Sequence, residues 1–324
     1  MDGRPPHCLV FDVGGTTTRA AVYDPARDAL TVELRSPTTS SWSAPGTPSD
    51  RLLGLLVDEL RAIGARLLDD PAVVAVGFPG PVDEAGTLLA APTLVGPRTG
   101  TVDLARILAD AWPDAQVVVT NDVTAAGFAF ADGENDAFCL VTVSSGIGCK
   151  VFLDGRPVLG PGGRGGEIGH LRVDASPDAN VCECGGRGHL GAVASGRGVL
   201  RTARRRAPAA GAVAPTSCEE LATAFHAGDP FTRALTGEAA AHLGGSLAAL
   251  HTALGLERFV ITGGFALALG EEYRRLVADA GAASCWDLGQ DWAAMVELDP
   301  LEGRSGLLGA GRFAATAQST AVRA

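Results

Sequence analysis

Twice along this chain a short apolar strand pattern ends at a glycine turn and returns as a second strand. The first instance is Cys8–Val13, Gly14-Gly15 and then Thr17 to Tyr23; the second is Ala137 to Val143, Ser144-Ser145-Gly146 and then Ile147–Leu153, with a further turn at Asp154-Gly155. Openings of one kind in both halves predict two lobes on related α/β plans. A chain of 324 residues is also longer than the roughly 100–200 residues of an ordinary domain. The expected boundary puts residues 1–120, with a returning helix 304–324, in an amino-terminal lobe and residues 121–303 in a carboxy-terminal one.

Between these openings, the Pro/Ser/Thr-rich stretch 36–49 reads as a loop and Asp50 as the cap of an amphipathic helix starting at Arg51. A strand at 73–76 runs into Gly77-Phe78-Pro79-Gly80-Pro81, and a helix is expected over 102–111. A strand at 117–120 leads to Asn121-Asp122, which opens another helix. The stretch 218–254 is helical in pattern, followed by a strand at 259–262, Gly263-Gly264 and a helix over 265–280. A last helix follows Gly303–Gly311, with fraying expected beyond Ala317.

Composition narrows the function classes. The hydrophobic fraction of 46% and the 43 glycines indicate a folded, turn-rich protein. A net charge of −11 argues against a nucleic-acid binder, which needs a basic face; Arg201, Arg204, Arg205 and Arg206 read as one solvated helix face. The seven cysteines are odd in number, and the start MDGRPPHCLVFDV resembles no secretory signal, so a reducing cytoplasm is expected. No apolar run reaches the roughly 18–20 residues that span a bilayer, so no membrane partner is expected.

Five motifs carry chemistry. In Asp12-Val13-Gly14-Gly15-Thr16-Thr17 the glycines allow backbone N–H groups to approach a phosphate, the threonine hydroxyls add donors, and Asp12 can hold hydrated Mg²⁺. Ser144-Ser145-Gly146-Ile147-Gly148 repeats that logic, and Gly263-Gly264 offers a flat backbone shelf for a purine; each alone is also an ordinary turn. In Thr120-Asn121-Asp122 a strand-end aspartate is placed to take a proton from a substrate hydroxyl, against the plain reading of a helix cap. Finally, His170, Cys182, Cys184 and His189 lie within about twenty residues, a set that suits tetrahedral structural Zn²⁺. The competing reading of those thiols is as small buried hydrophobes.

These residues, in this order from Leu9 to Gly311, resemble the ROK family of sugar kinases and repressors. The resemblance is carried by Asp12–Thr17, Gly77–Asp83, Asn121-Asp122, Ser145–Gly148, Glu167–His170, Cys182/Cys184 and Ile261–Gly264. It implies a duplicated actin/hexokinase-like (RNase H-like) fold with a cleft between the lobes, ATP and Mg²⁺ as co-reactants, and a homodimer. It further implies Asp122 as catalytic base, Asn121, Glu167 and His170 as ligands of ring hydroxyls, Gly80 beside the substrate, and a His170 that serves zinc and substrate together.

Three departures stand out. His189 replaces a usual third cysteine, Gly191 a glutamate of glucokinase-like members, and Thr93 an asparagine. Losing a charge-assisted bond of about 1.5–3 kcal/mol shifts substrate preference about ten- to a hundredfold. The resemblance therefore implies a kinase for the exocyclic CH₂OH of a hexose such as glucose or of a sugar-like C7-cyclitol. A non-catalytic sugar sensor is the alternative; a repressor would need a helix-turn-helix domain ahead of the phosphate motif.

Overall fold

The computed structural model describes residues 7–96, 100–133 and 136–323. Its first compact unit runs to Ala131 and takes in Leu159–Gly165 and the chain from Arg304 on; the second comprises Asp132–Val158 and Gly166–Gly303. Relative to the expected boundary, the first unit keeps residues 121–131 and regains a short segment from the middle of the chain.

In the first unit the strands are β1 (Cys8–Val13), β2 (Thr17–Asp24), β3 (Ala29–Pro37), β4 (Val73–Phe78), the short pair β5 (Thr87–Leu88) and β6 (Val102–Asp103), and β7 (Gln116–Asn121). The helices are α1 (Ser49–Gly64), α2 (Pro92–Val95), α3 (Leu104–Ala111) and α4 (Asp122–Gly127). Five strands form a sheet in the order β3-β2-β1-β4-β7. The hairpins β1–β2 and β2–β3 are antiparallel, whereas β1, β4 and β7 run parallel.

The parallel strands bury both faces. Leu9, Phe11 and Val76 pack with Leu52, Leu56 and Leu60 of α1, whose spacing places them on one helical stripe. Each such leucine contributes about 1.5–3 kcal/mol. Val10 and Ala75 instead meet Leu307, Ala310 and Ala314 of the last helix.

The second unit repeats the plan with β8 (Phe138–Val143), β9 (Ile147–Leu153), β10 (Arg156–Pro157), β11 (Phe259–Thr262) and β12 (Val296–Leu298), ordered β10-β9-β8-β11-β12. Its helices are α5 (Leu190–Ala194), α6 (Gly196–Ala210), α7 (Cys218–His226), α8 (Pro230–Leu254), α9 (Gly264–Ser284) and α10 (Trp292–Met295); α11 (Ser305–Arg323) belongs to the first unit. No helix among the described residues is long and apolar enough to cross a membrane.

Local details differ from the sequence reading. Pro48, not Asp50, occupies the cap of α1, and Asp50 sits in the first turn, where its charge faces the positive helix end. The helix expected from Val102 begins at Leu104, because Asp103 accepts the Arg106 amide at 3.1 Å and residues 102–103 pair with 87–88. The helical stretch 218–254 is broken in two at Gly228, whose φ of +81° is left-handed. Thr93 lies in α2 rather than in a loop. On α6, Arg201, Arg205 and Arg206 pair with Glu183, Asp178 and Glu238, as a solvated face should.

Candidate active site and metal centre

In the first unit the carboxyl ends of β1, β4 and β7 share one edge: Asp12 is level with Gly77, and Phe78 with Asn121. Ligands of open α/β sheets bind beyond such an edge. Asp12 closes on Arg19 at 3.5 Å with a side chain one-fifth exposed. Burial raises its pKa, and Arg19 partly opposes the rise. Gly14 donates its N–H to the Thr17 carbonyl at 3.0 Å, and a Cβ on Gly14 would lie 2.7 Å from that oxygen, so the turn demands glycine. Gly15, Thr16 and Thr17 complete the same hairpin, with Thr17 opening β2.

At the end of β7 the two neighbouring polar residues divide their roles. Asn121 is the cap of α4: its Oδ1 accepts the Thr124 amide at 3.0 Å. Its Nδ2 donates to the Gly80 carbonyl at 3.0 Å and to Asp122 Oδ1 at 2.8 Å. The Val123 amide donates to the same Asp122 oxygen at 2.9 Å. Asp122 is therefore the first residue of α4 and not its cap, a first-turn position at which an acidic side chain also suits the positive end of the helix. Gly80 has φ +108°, and a Cβ there would sit 2.0 Å from the Ala90 carbonyl.

The second unit gathers a second group. Ser144, Ser145 and Gly146 turn β8 into β9, and Gly263 follows β11, which pairs with β8. Gly263 has φ +98°, and a Cβ would lie 2.6 Å from the Val143 carbonyl; the two turns therefore meet backbone to backbone, with Gly264 starting α9. Close by, Glu167 precedes a 3₁₀ turn, Ile168–His170. A Cβ on Gly169 would come within 2.2 Å of the Ile147 carbonyl, and one on Gly191 within 3.2 Å of the Gly169 carbonyl. Glu167 is half-buried, and this desolvation raises its pKa; the Lys150 charge pulls the other way.

The four suspected metal ligands converge. The ligand atoms of His170, Cys182, Cys184 and His189 all lie within 4.8 Å of one another, the one such cluster of histidine, cysteine and carboxylate groups among the described residues. His170 Nδ1 is 3.7 Å from Cys182 Sγ, and His189 Nδ1 is 3.2 Å from Cys184 Sγ. These two separations are close to the edges of a tetrahedron with bonds of about 2.0–2.3 Å, and the set as a whole, spread over up to 4.8 Å, is somewhat wider than one. A turn in which Cys182 N–H donates to Gly186 at 2.7 Å and Gly185 N–H to Cys182 at 2.9 Å brings both thiols to one side. A Cβ on Gly186 would lie 2.3 Å from the His189 ring, so glycine there is required for His189 to reach in. With no metal charge beside it, burial pushes the Cys182 thiol up to about 11; a bound divalent cation would reverse that preference.

Lys150 escaped the sequence reading. It is buried at 1% exposure on β9 beside the Glu167 segment, and no motif flags it.

A duplicated unit of this plan, with glycine turns after paired strands and carboxylates at the strand ends, defines the actin-like phosphotransferase class. The ROK family model matches residues 8–311, and the chain belongs to the ROK family. It is 38% identical to the C(7)-cyclitol 7-kinase of Streptomyces hygroscopicus subsp. jinggangensis, covering 96% of this chain and 94% of that one. It is 34% identical to the 2-epi-5-epi-valiolone 7-kinase of Actinoplanes sp., covering 85% and 83%. Among solved structures, a ROK family glucokinase from Streptomyces griseus in complex with glucose and AMPPNP superposes with a TM-score of 0.77 at 25% identity, covering 96% of this chain and 99% of that one.

Proposed function

We propose that this chain is an ATP-dependent kinase that phosphorylates the exocyclic CH₂OH of a C7-cyclitol. The observation that carries the reading is Asp122: a carboxylate one residue past the end of β7, whose Oδ1 is fixed by the Asn121 side-chain amide and the Val123 N–H. The two cyclitol-kinase relatives support the ring class, and Gly191 supports a departure from glucose.

In this reading Asp122 receives the hydroxyl proton while the substrate oxygen forms a bond to the γ-phosphorus and the bond to the ADP oxygen breaks. Asn121 and Val123 fix Asp122 Oδ1, so the carboxylate is aimed before substrate arrives. Backbone N–H groups of Gly14–Thr17 and of Ser145-Gly146 stabilise the phosphoryl oxygens, and Gly263-Gly264 underlie the purine. Asp12 would hold the hydrated Mg²⁺, which supplies charge neutralisation. Gly80, Asn121, Glu167 and His170 bind the ring. Zinc on His170, Cys182, Cys184 and His189 would fix the tautomer and direction of His170. Seven cysteines free of disulfides suit the reducing cytoplasm, and the family supports a homodimer.

The test is ADP release with 2-epi-5-epi-valiolone, glucose and N-acetylmannosamine as acceptors. The cyclitol should give the highest kcat/KM. A strong glucose preference removes the cyclitol, and no ADP from any acceptor leaves the non-catalytic sensor.

A further inference from the structure

Asp12, Arg19 and Arg35 stand in one row across three neighbouring strands. Asp12 of β1 lies directly opposite Arg19 of β2, and Arg19 lies directly opposite Arg35 of β3. Directly opposite residues share a face of the sheet. Two positions along the same strands, Val10 and Ala21 pack with Leu307 and Ala310 of α11. The row therefore lies on the α11 side of the sheet, at the edge where the glycine turn begins.

Opposite charges that face each other across strands attract, and like charges repel. Across its two ladders Arg19 faces one of each: a carboxylate on β1 and a second guanidinium on β3. Glu33, the carboxylate two residues before Arg35, is itself paired with Arg304. The row thus drives Arg19 towards β1, where its Nη1 donates to Asp12 Oδ2 at 3.5 Å. No hydrogen bond to Asp12 Oδ1 forms among the described residues. Gly306 closes another side of the same carboxylate: a Cβ there would lie 2.5 Å from Cγ, 2.6 Å from Oδ2 and 2.9 Å from Oδ1.

We infer that Arg19 is a positioning residue for Asp12: repelled by Arg35, its guanidinium fixes Oδ2 and leaves Oδ1 as the oxygen open to hydrated Mg²⁺. This rests on Asp12 being the residue that holds Mg²⁺ in the proposed kinase.

The row supplies a test that leaves Asp12 and Arg19 in place. Arg35→Glu, at an exposed position, exchanges the repelling charge for an attracting one, so Arg19 should turn from Asp12 to β3. The full-length variant should melt about 1–3 °C higher. By titration calorimetry it should nevertheless bind AMPPNP with Mg²⁺ about ten- to a hundredfold more weakly. Binding of AMPPNP without Mg²⁺ should change by less than about threefold, because salt screens an exposed charge. Equal losses with and without Mg²⁺ would mark a general field effect and overturn the inference, as would undiminished binding with Mg²⁺. Arg19→Gln should reproduce the Mg²⁺-dependent loss, and combined with Asp12→Asn it should lose no more than Asp12→Asn alone. A further loss in the double variant would give Arg19 a contact of its own and overturn the inference with Asp12 intact. If Asp12→Asn alone keeps full Mg²⁺-dependent binding, Asp12 does not hold the ion, and the inference falls with that reading.

Discussion

Asn121 donates its side-chain amide to Asp122 Oδ1 at 2.8 Å while its own oxygen caps α4. One residue thus orients the carboxylate and ends the strand, and the two substitutions should separate. Asp122→Asn should lower kcat by about 10²–10⁴-fold or more with the acceptor KM little changed. Asn121→Ala should cost about 1 kcal/mol of cap stability, a melting shift of about 2–4 °C, besides loosening Gly80. Steady-state kinetics and thermal denaturation check both; an unchanged kcat in Asp122→Asn would mean the base lies elsewhere.

Asp12 carries a cost for its position. Burial raises its pKa above the ordinary 3.8, so folding favours the protonated carboxyl. The ionised form therefore weakens the fold at neutral pH, and that penalty disappears as pH falls through the folded pKa. Asp12→Asn should melt higher than wild type at pH 7, with the difference shrinking towards pH 4, yet lose ATP turnover. Equal melting temperatures at both pH values would contradict the assignment.

Gly306 of α11 reaches the same carboxylate: a Cβ there would lie 2.5 Å from Asp12 Cγ. Gly306→Ala must displace Asp12, and displacements of about 1 Å can cost about 10²-fold. kcat/KM for ATP should fall at least tenfold by that reasoning, with the fold retained by circular dichroism. Full activity would show that Asp12 is not needed in place.

How far the sequence was legible follows from how local each signal is. The paired hairpin openings and the strand-ending glycines are contiguous patterns, and they appear as β1–β2 and β8–β9. The Cys182–His189 spacing is equally local, and its ligand atoms do converge with His170. What escaped is set by contacts between distant segments. The Gly306–Asp12 approach joins the two ends of the chain, and Leu159–Gly165 returns to the first unit because a Cβ-free Gly163 packs against the Val82 carbonyl. Strand β12 is only three residues long, too short for periodicity to show. Asn121 and Asp122 are both good caps, so only the hydrogen bonds decide between them. Lys150 could have been noticed, since a lone lysine among arginines is visible in composition, but its burial is not.

The cysteine–histidine cluster predicts about one tightly held zinc ion per chain, measurable by elemental analysis. Cys184→Ser or His189→Ala should lower metal content and melting temperature together, because thiolate and imidazole otherwise remain as unpartnered ligands. The acceptor KM should rise and the ATP KM should not, since His170 belongs to the ring side in this reading. His189→Cys should retain the metal. Metal-free protein with an unchanged melting temperature would leave the cluster without a structural role.

Gly191 is the most direct handle on substrate choice. It lies in α5 with ordinary helical backbone, and the nearest atom to an added Cβ is the Gly169 carbonyl at 3.2 Å, a contact relieved by a few tenths of an ångström. The helical backbone of Gly191 accepts a side chain provided the Gly169 backbone gives by that amount, and Gly169 is adjacent to His170. A glutamate there would add an anionic acceptor of about 1.5–3 kcal/mol for a hydroxyl placed to meet it. Gly191→Glu should raise the ratio of kcat/KM for glucose over 2-epi-5-epi-valiolone about ten- to a hundredfold. Competition between the two acceptors in one reaction measures that ratio without comparing enzyme preparations. If it does not move while the variant keeps its turnover, residue 191 does not face the ring, and the case for a non-glucose substrate loses its structural half.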